Sequence, residues 1–376
     1  MRNLLQNVSR FQTRRVNNGT KMPFSTYKSK GTTKKRPMVH LSSALDEKYN
    51  AKHIGAPHPI IPHEVTERLL VPDHIPSPSY AKSGKAPPMK EDIVTINNNN
   101  DDDIEAMQRL RNAGQLAADM LQLASSMARQ GAGLTTDEID KFIHHKIIEA
   151  GAYPSTLNYN RFPKSLCISI NEVACHGIPD LRTLEVGDLV SLDIAVYLDG
   201  VHGDNCNTVL VEGTADLQDD ESFPIPSDYE DRSARACALI ETTNKAMLEA
   251  INICHAGTPL CEIGNTVQRI AQSNGYRPMK IVTGHGVGVD FHTPPEIKHF
   301  RNKDKAELKV GMVLTVEPCL VEGHGAHITF ADGWTISTVD GGLSCQMEHT
   351  IYINETGPPE ILTIPHERNK TEMRKQ

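Results

Sequence analysis

The 376-residue chain has eight cysteines, Cys167, Cys175, Cys206, Cys237, Cys254, Cys261, Cys319 and Cys345, yet no two stand as C-x-x-C. That absence excludes a zinc knuckle and a disulfide framework, leaving scattered thiols that read as small core residues of a reducing compartment. No apolar run approaches the roughly 18 residues a membrane-crossing helix needs, which excludes a membrane-spanning role. The first 45 residues lack any Asp or Glu while holding ten Lys or Arg, so the formal charge of -8 makes the remainder distinctly acidic. A nucleic-acid substrate calls for a basic patch on the folded part, whereas surplus carboxylates point to cations or basic ligands. Tryptophan occurs once, at Trp334.

What is present suits a globular protein with one large catalytic domain and an appendage. Residues 1–50 carry arginines, hydroxyl residues and spaced apolar residues (Leu4, Leu5, Val8, Phe11), the pattern of an organellar transit peptide. The alternative is a solvated basic arm that touches ribosomal RNA. Residues 51–103, rich in Pro and His and ending in Asn97 to Asn100 and Asp101 to Asp103, read as a polar linker. A catalytic domain is expected over 104–365 and a polar tail over 366–376.

Ile104, Met107, Leu110, Ala117, Leu121, Ala124 and Met127 recur at helical spacing, and Gly131 and Gly133 end the run. A second helix opens on Thr135 and Glu138 in capping-box spacing and closes at Gly151. Two more are expected over Ser233 to His255 and from Thr258, with Pro259 at the first helical position, to Asn274. The acidic stretch from Asp216 to Asp231 reads as a loop insertion. Strands are expected at Cys167 to Ile170, Leu189 to Leu198, Val201 to Glu212, Met312 to Leu320, Trp334 to Thr338 and Glu348 to Ile353. The fold class is therefore α/β (α+β) with much antiparallel pairing.

Asp199-Gly200 is the dipeptide that a two-residue hairpin turn prefers. Closing that turn pairs Leu198 with Val201 and Asp193 with Cys206, which makes Asp193 and Asp204 diagonal neighbours within reach of a common ion. Two carboxylates in a sheet interior need a compensating charge or a shared proton. For the pair alone, a solvated sheet edge and a metal site remain equally open. His285 stands in the Gly-rich Thr283-Gly-His-Gly-Val-Gly288, Glu317 lies within an apolar strand-like run before Pro318, and Glu348 opens another. Four oxygen donors and one imidazole suit a pair of Mn, Co, Fe or Zn ions rather than a structural zinc site. Such a pair activates water, clamps the substrate and stabilises an oxyanion, so amide or ester hydrolysis is the natural chemistry.

In chain order, Asn171-Glu-Val-Ala-Cys-His-Gly-Ile-Pro179, the Asp193/Asp204 hairpin, Gly284-His-Gly-Val-Gly-Val-Asp-Phe-His292, Thr315-Val-Glu-Pro318, Asp332-Gly-Trp334 and Ser344-Cys-Gln-Met-Glu-His349 resemble the type 1 methionine aminopeptidases. The likeness runs from about residue 104 to 353. It implies the pita-bread (creatinase/aminopeptidase) fold with internal pseudo-twofold symmetry. It also implies two divalent ions, Co, Mn, Fe or Zn, ligated by Asp193, Asp204, His285, Glu317 and Glu348. In the family scheme Asp204 and Glu348 bridge, Asp193 completes one shell, and His285 and Glu317 complete the other. Glu317 is the implied proton acceptor, His292 would hydrogen-bond the substrate carbonyl, and His176 would contact the scissile amide. Tyr159, Phe162, Cys167, Phe291 and Trp334 match the family's methionine pocket, while Phe162 and Thr156 occupy positions where members differ.

The implied activity is co-translational removal of the initiator methionine from nascent proteins with a small second residue. The implied partners are nascent N-termini, with the ribosome as a second candidate; a monomer is expected. Glu317 and Glu348 are 31 residues apart, too close for the large insertion of type 2 enzymes, and no Cys-rich extension precedes Cys167. With the basic leader this resembles the organellar form, expected in mitochondria with plastid and cytoplasm as alternatives. The competing readings are a proline-directed dipeptidase or aminopeptidase P, and a catalytically inert relative that binds RNA or protein.

Overall fold

The first long helix, α1 (Asp101–Arg129), begins where the Asn100 side chain accepts the N–H of Asp103 at 2.9 Å. Asp101, Asp102 and Asp103 fill its first turn, where carboxylates complement the helix dipole, so the helix starts three residues before the expected Ile104. In α2 (Thr136–Glu149) the capping box forms as expected: Thr135 and Glu138 exchange side-chain and backbone hydrogen bonds. The structure is a computed structural model and describes residues 59–88, 93, 95–96, 100–212 and 228–366. The described residues belong to the unit Leu45–Gln376, and residues 1–44 lie outside them. So do the whole transit-peptide reading of 1–50, most of the insertion read at 216–231, and the tail from residue 367 on.

Helix α3 (Tyr229–Asn252) starts earlier than Ser233, with Glu230 and Asp231 in its first turn. Helix α4 (Leu260–Ser273) departs from expectation at its start: Pro259 is the N-cap, extended at φ -63 and ψ 137. The Leu260 N–H turns outward to Ala306 O at 2.8 Å, which leaves Pro259 outside the helix.

Fifteen short strands follow the chain among the described residues: β1 (Tyr153–Pro154), β2 (Cys167–Ile170), β3 (Val173–Cys175), β4 (Leu189–Leu198), β5 (Val201–Leu210), β6 (Arg277–Pro278), β7 (Thr283–Gly286), β8 (Thr293–Lys298), β9 (Val313–Val316), β10 (Cys319–Val321), β11 (His327–Thr329), β12 (Ile336–Thr338), β13 (Ser344–Gln346), β14 (His349–Tyr352) and β15 (Glu360–Ile361). One sheet runs β1-β4-β2 with β5 added to β4, and another runs β15-β14-β9-β7-β8; every pairing within them is antiparallel. A bridge between Cys206 and Glu348 ties the two together.

Each of these sheets carries two helices. Ile139, Ile143 and Ile147 of α2 and Ala117 and Ala124 of α1 pack on Ile168, Val190, Leu192 and Ile194. Leu239 and Met247 of α3 and Ile263, Val267 and Ile270 of α4 pack on Leu314, Val316 and Ile351. Burying one such side chain fully contributes about 1.5–3 kcal/mol, so these apolar faces hold the helices down. The same motif, two helices over an antiparallel sheet, thus occurs twice.

The expected strand Met312 to Leu320 is divided at Glu317-Pro318, because Pro318 has no N–H for the ladder. Trp334 and Thr335 fall outside β12 because Asp332 accepts both their N–H groups, making a turn. The segment read as linker also differs from expectation: Ile75 and Tyr80 are buried in the domain.

The hairpin register is as expected, from Leu198 opposite Val201 to Leu189 opposite Leu210, with Asp193 opposite Cys206. Asp199 and Gly200 both take positive φ, 51° and 85°, which the turn requires. At Gly203 the helix backbone presses on the hairpin: a Cβ there would lie 2.5 Å from Ala113 C and Gly114 N. Gly203→Ala is therefore expected to lift α1 from β5 and to destabilise the protein by about 1–3 kcal/mol. Urea unfolding of the variant checks this, and an unchanged midpoint would contradict the close contact.

Candidate active site

The pleat of the hairpin sends Asp193 and Asp204 to one face. His285 arrives from β7, Glu317 from the break between β9 and β10, and Glu348 from just before β14. All five line one cavity of about 360 Å³. The ligand atoms of Asp204, His285 and Glu348 lie within 4.8 Å of one another. His285 Nε2 is 3.6 Å from Asp204 Oδ2 and 3.5 Å from Glu317 Oε1.

Burial raises all four carboxyls above the ordinary range; Asp204 and Glu348 are raised further by neighbouring carboxylates, and Glu317 by Asp193. Burial lowers His285 to about 4, leaving a neutral imidazole, the form that binds metals. Among the described residues, Asp204 Oδ1 and Glu348 Oε1 are buried with no hydrogen-bond partner. Orphaned carboxylate oxygens aligned with a neutral imidazole are the donor set a divalent cation satisfies, so these residues fit a metal ion.

Sequence reasoning missed the groups that hold Glu317. The Thr315 hydroxyl donates to its Oε1 at 2.8 Å and accepts the His285 N–H at 3.0 Å. Gln346 Nε2 donates to Oε2 at 3.4 Å, and the Glu317 N–H donates to His299 Nε2 at 3.0 Å. Burial drives His299 down to about 3, which keeps its ring a neutral acceptor. Thr315 and Gln346 stand inside the quoted motifs, but His299 is 18 residues from its partner and carries no local signal.

The remaining site residues line the same cavity: His176, His292, Tyr159, Phe162, Cys167, Phe291 and Trp334. Phe162 and His176 meet the Trp334 ring edge-on at 5.2 and 5.7 Å. Tyr159 and Phe291 lie 5.0 Å apart, and His292 is 4.1 Å from the His285 ring. His176 holds a left-handed φ of 55°, a strained conformation for a non-glycine residue. Desolvation lowers both His176 and His292, the latter further through His285, His176 and His202, so both are neutral at physiological pH. Cys175, Asn160, Ile281 and Gln346 also face the cavity. Acidic groups, aromatic rings and thiols share the lining of this cavity, with Cys167 directly opposite Asp193 on the neighbouring strand.

A twice-used helix-on-sheet unit with a buried acidic cluster at its junction is the pita-bread fold of a metallohydrolase. The Metallopeptidase family M24 profile matches residues 108–355. Methionine aminopeptidase 1B, chloroplastic, of Arabidopsis thaliana is 40% identical over 299 residues, covering 80% of this chain and 74% of the relative. Methionine aminopeptidase 1D, mitochondrial, of Homo sapiens is 37% identical over 310 residues, covering 82% and 84%. The crystal structure of methionine aminopeptidase from Rickettsia prowazekii superposes with a TM-score of 0.63 at 34% identity, covering 73% of this chain and 99% of that one. Prolidase from Pyrococcus furiosus, at 20% identity and TM-score 0.50, shares the fold alone. The chain belongs to metallopeptidase family M24, within its methionine aminopeptidases, and is a metallo-aminopeptidase.

Because these carboxyls sit above their ordinary pKa, each holds its proton more tightly in the ion-free fold than in the unfolded chain. Their contribution to stability is therefore full below about pH 4 and is lost as pH rises through the raised folded values, about 7 for Asp193, while the buried histidines act in the opposite sense. A divalent ion takes the protons' place, so the rise in Tm on adding Mn is expected to be larger at about pH 8 than at about pH 5.5, with proton release on binding. Thermal scans and calorimetry in two buffers measure both; equal stabilisation at the two pH values would exclude these carboxyls as ligands.

Proposed function

We propose that this chain removes the initiator methionine from nascent polypeptides whose second residue is small, using two divalent ions. Asp193, Asp204, His285, Glu317 and Glu348 would hold them; Co, Mn, Fe and Zn all suit the donors. When bound, such ions supply an acidified water and a polarised scissile carbonyl. The chain's own groups do the rest. Glu317, steadied by Thr315 and Gln346, accepts the proton of the attacking water. Neutral His292 donates a hydrogen bond to the carbonyl oxygen as charge develops there, and neutral His176 orients the scissile amide. Tyr159, Phe162, Cys167, Phe291 and Trp334 receive the methionine side chain, whose soft thioether favours aromatic edges. The observation that carries this reading is the shared cavity: the acidic cluster and the aromatic rings line one and the same space, where an N-terminal methionine would have its side chain among the rings and its peptide bond within reach of the acidic cluster.

Met-Ala-Ser is expected to be hydrolysed with Mn or Co present and Ala-Pro-Ser left intact. Asp204→Asn should lower turnover by more than about 100-fold, since removing a ligand costs more than removing a group that orients one. Cleavage of only the Pro-containing peptide would favour a proline-directed peptidase, and failure on both would favour an inert relative.

The likeness to relatives named mitochondrial and chloroplastic, with the first 45 residues free of Asp and Glu, supports an organellar form in which residues 1–50 are a transit peptide and the catalytic domain ends near 365. Mitochondrial import is favoured, and a monomer acting on chains as they leave the ribosome is the working picture. A fusion of residues 1–50 to a fluorescent protein should concentrate in mitochondria; a diffuse cytosolic signal would overturn the address.

A further inference from the structure

Residues 59–88 lie outside the span that the family profile matches, yet they are tied to the catalytic domain. The His63 N–H donates to Asp180 Oδ2 at 2.8 Å, the Leu181 N–H to Glu64 O at 3.1 Å, and Lys164 Nζ to the Thr66 hydroxyl at 2.8 Å. At the far end, Tyr80 is 2% exposed and its hydroxyl donates to Ser155 O at 2.6 Å. Its ring meets Tyr159 edge-on at 5.0 Å and lies nearly parallel to His202 at 6.2 Å. His202 in turn stacks on Phe291 at 5.0 Å, and its N–H donates to Gly288 O at 2.7 Å, pinning the loop that carries Phe291 and His292.

The loop bearing Tyr159 and Phe162 is strained. Asn158, Asn160 and Arg161 have φ of 62°, 46° and 70°, all in the left-handed region. Such backbone persists only where its surroundings over-determine it. The strap supplies part of that constraint: Asn158 Nδ2 donates to Ala81 O at 2.8 Å, and the Ala86 N–H donates to Asn160 Oδ1 at 3.1 Å. Two walls of the cavity, Tyr159 and Phe291, therefore rest on one side chain from the strap.

We propose that Tyr80 is a positioning residue for substrate recognition: the strap 59–88 holds Tyr159 directly, and Phe291 through His202, in the geometry that receives the methionine side chain. The identity of that side chain rests on the function proposed above; the positioning does not. Tyr80 touches no reacting group, so its removal loosens binding and leaves the chemical step in place.

The chain's single tryptophan, Trp334, lines the cavity and reports its occupancy by fluorescence. Full-length, Mn-loaded wild type, Tyr80→Ala, Tyr80→Phe and Ala86→Pro are titrated with L-methionine and assayed on Met-Ala-Ser. Tyr80→Ala is expected to weaken methionine binding and raise KM by about tenfold each with kcat within about twofold, because lost ring contacts act on binding alone. Tyr80→Phe, which keeps the ring, restores most of the loss, and Ala86→Pro, which removes one N–H from the strap, shifts both in the same direction. Wild-type affinity in Tyr80→Ala, or a loss confined to kcat, overturns the inference. Should Tyr80→Ala not fold, unchanged methionine affinity in Ala86→Pro overturns it. Wild type that binds methionine without cleaving the peptide overturns the proposed function alone, and the fluorescence titrations still decide the role of Tyr80.

Discussion

Everything at the centre of this molecule depends on four carboxyl groups held together away from water. Gathering Asp193, Asp204, Glu317 and Glu348 in one cavity costs desolvation and mutual repulsion, and hydrogen bonds within the protein offset only part of it. Glu317 has Thr315 and Gln346, but Asp204 Oδ1 and Glu348 Oε1 have no hydrogen-bond partner among the described residues. A fold tolerates this at the junction of two apolar cores, each a pair of helices on an antiparallel sheet, because those cores supply the stability that the cluster withholds. The bridge from Cys206 to Glu348 places the cluster where the halves meet, so acidic side chains from both converge there.

The groups around the cluster divide the work by charge. Burial keeps His176, His285 and His292 neutral, so they add donors or lone pairs without adding positive charge that would compete with a cation. The aromatic rings contribute shape and polarisability instead. The cavity's walls are set by long-range packing of rings from the 159–162 loop, the 287–292 loop and the strap, not by any one element. Rigid placement of this kind is what a binding slot needs to select one side chain.

Parts of this were open to a reader of residues alone. Asp199-Gly200 specifies a two-residue turn, the turn specifies the register, and the register brings Asp193 and Asp204 to the same face; each step is local and acts through backbone geometry. The capping box at Thr135 and Glu138 is equally local. Sequence pattern and structure part where one residue changes the local rule. Pro318 ends a ladder that its apolar neighbours would continue, the side chain of Asp332 draws Trp334 out of a strand, and Asn100 starts a helix inside what composition marks as linker.

The amino-acid order by itself determined which segments become helices and how the hairpin brings Asp193 and Asp204 to one face, because capping, turn preference and side-chain alternation act over a few residues. The partners of individual side chains were decided only by tertiary structure. That His299 would steady Glu317, or that Tyr80 would brace Tyr159 from 79 positions away in the chain, depends on how separate elements pack. Non-polar packing is nearly indifferent to sequence distance, and so leaves no periodic trace along the chain.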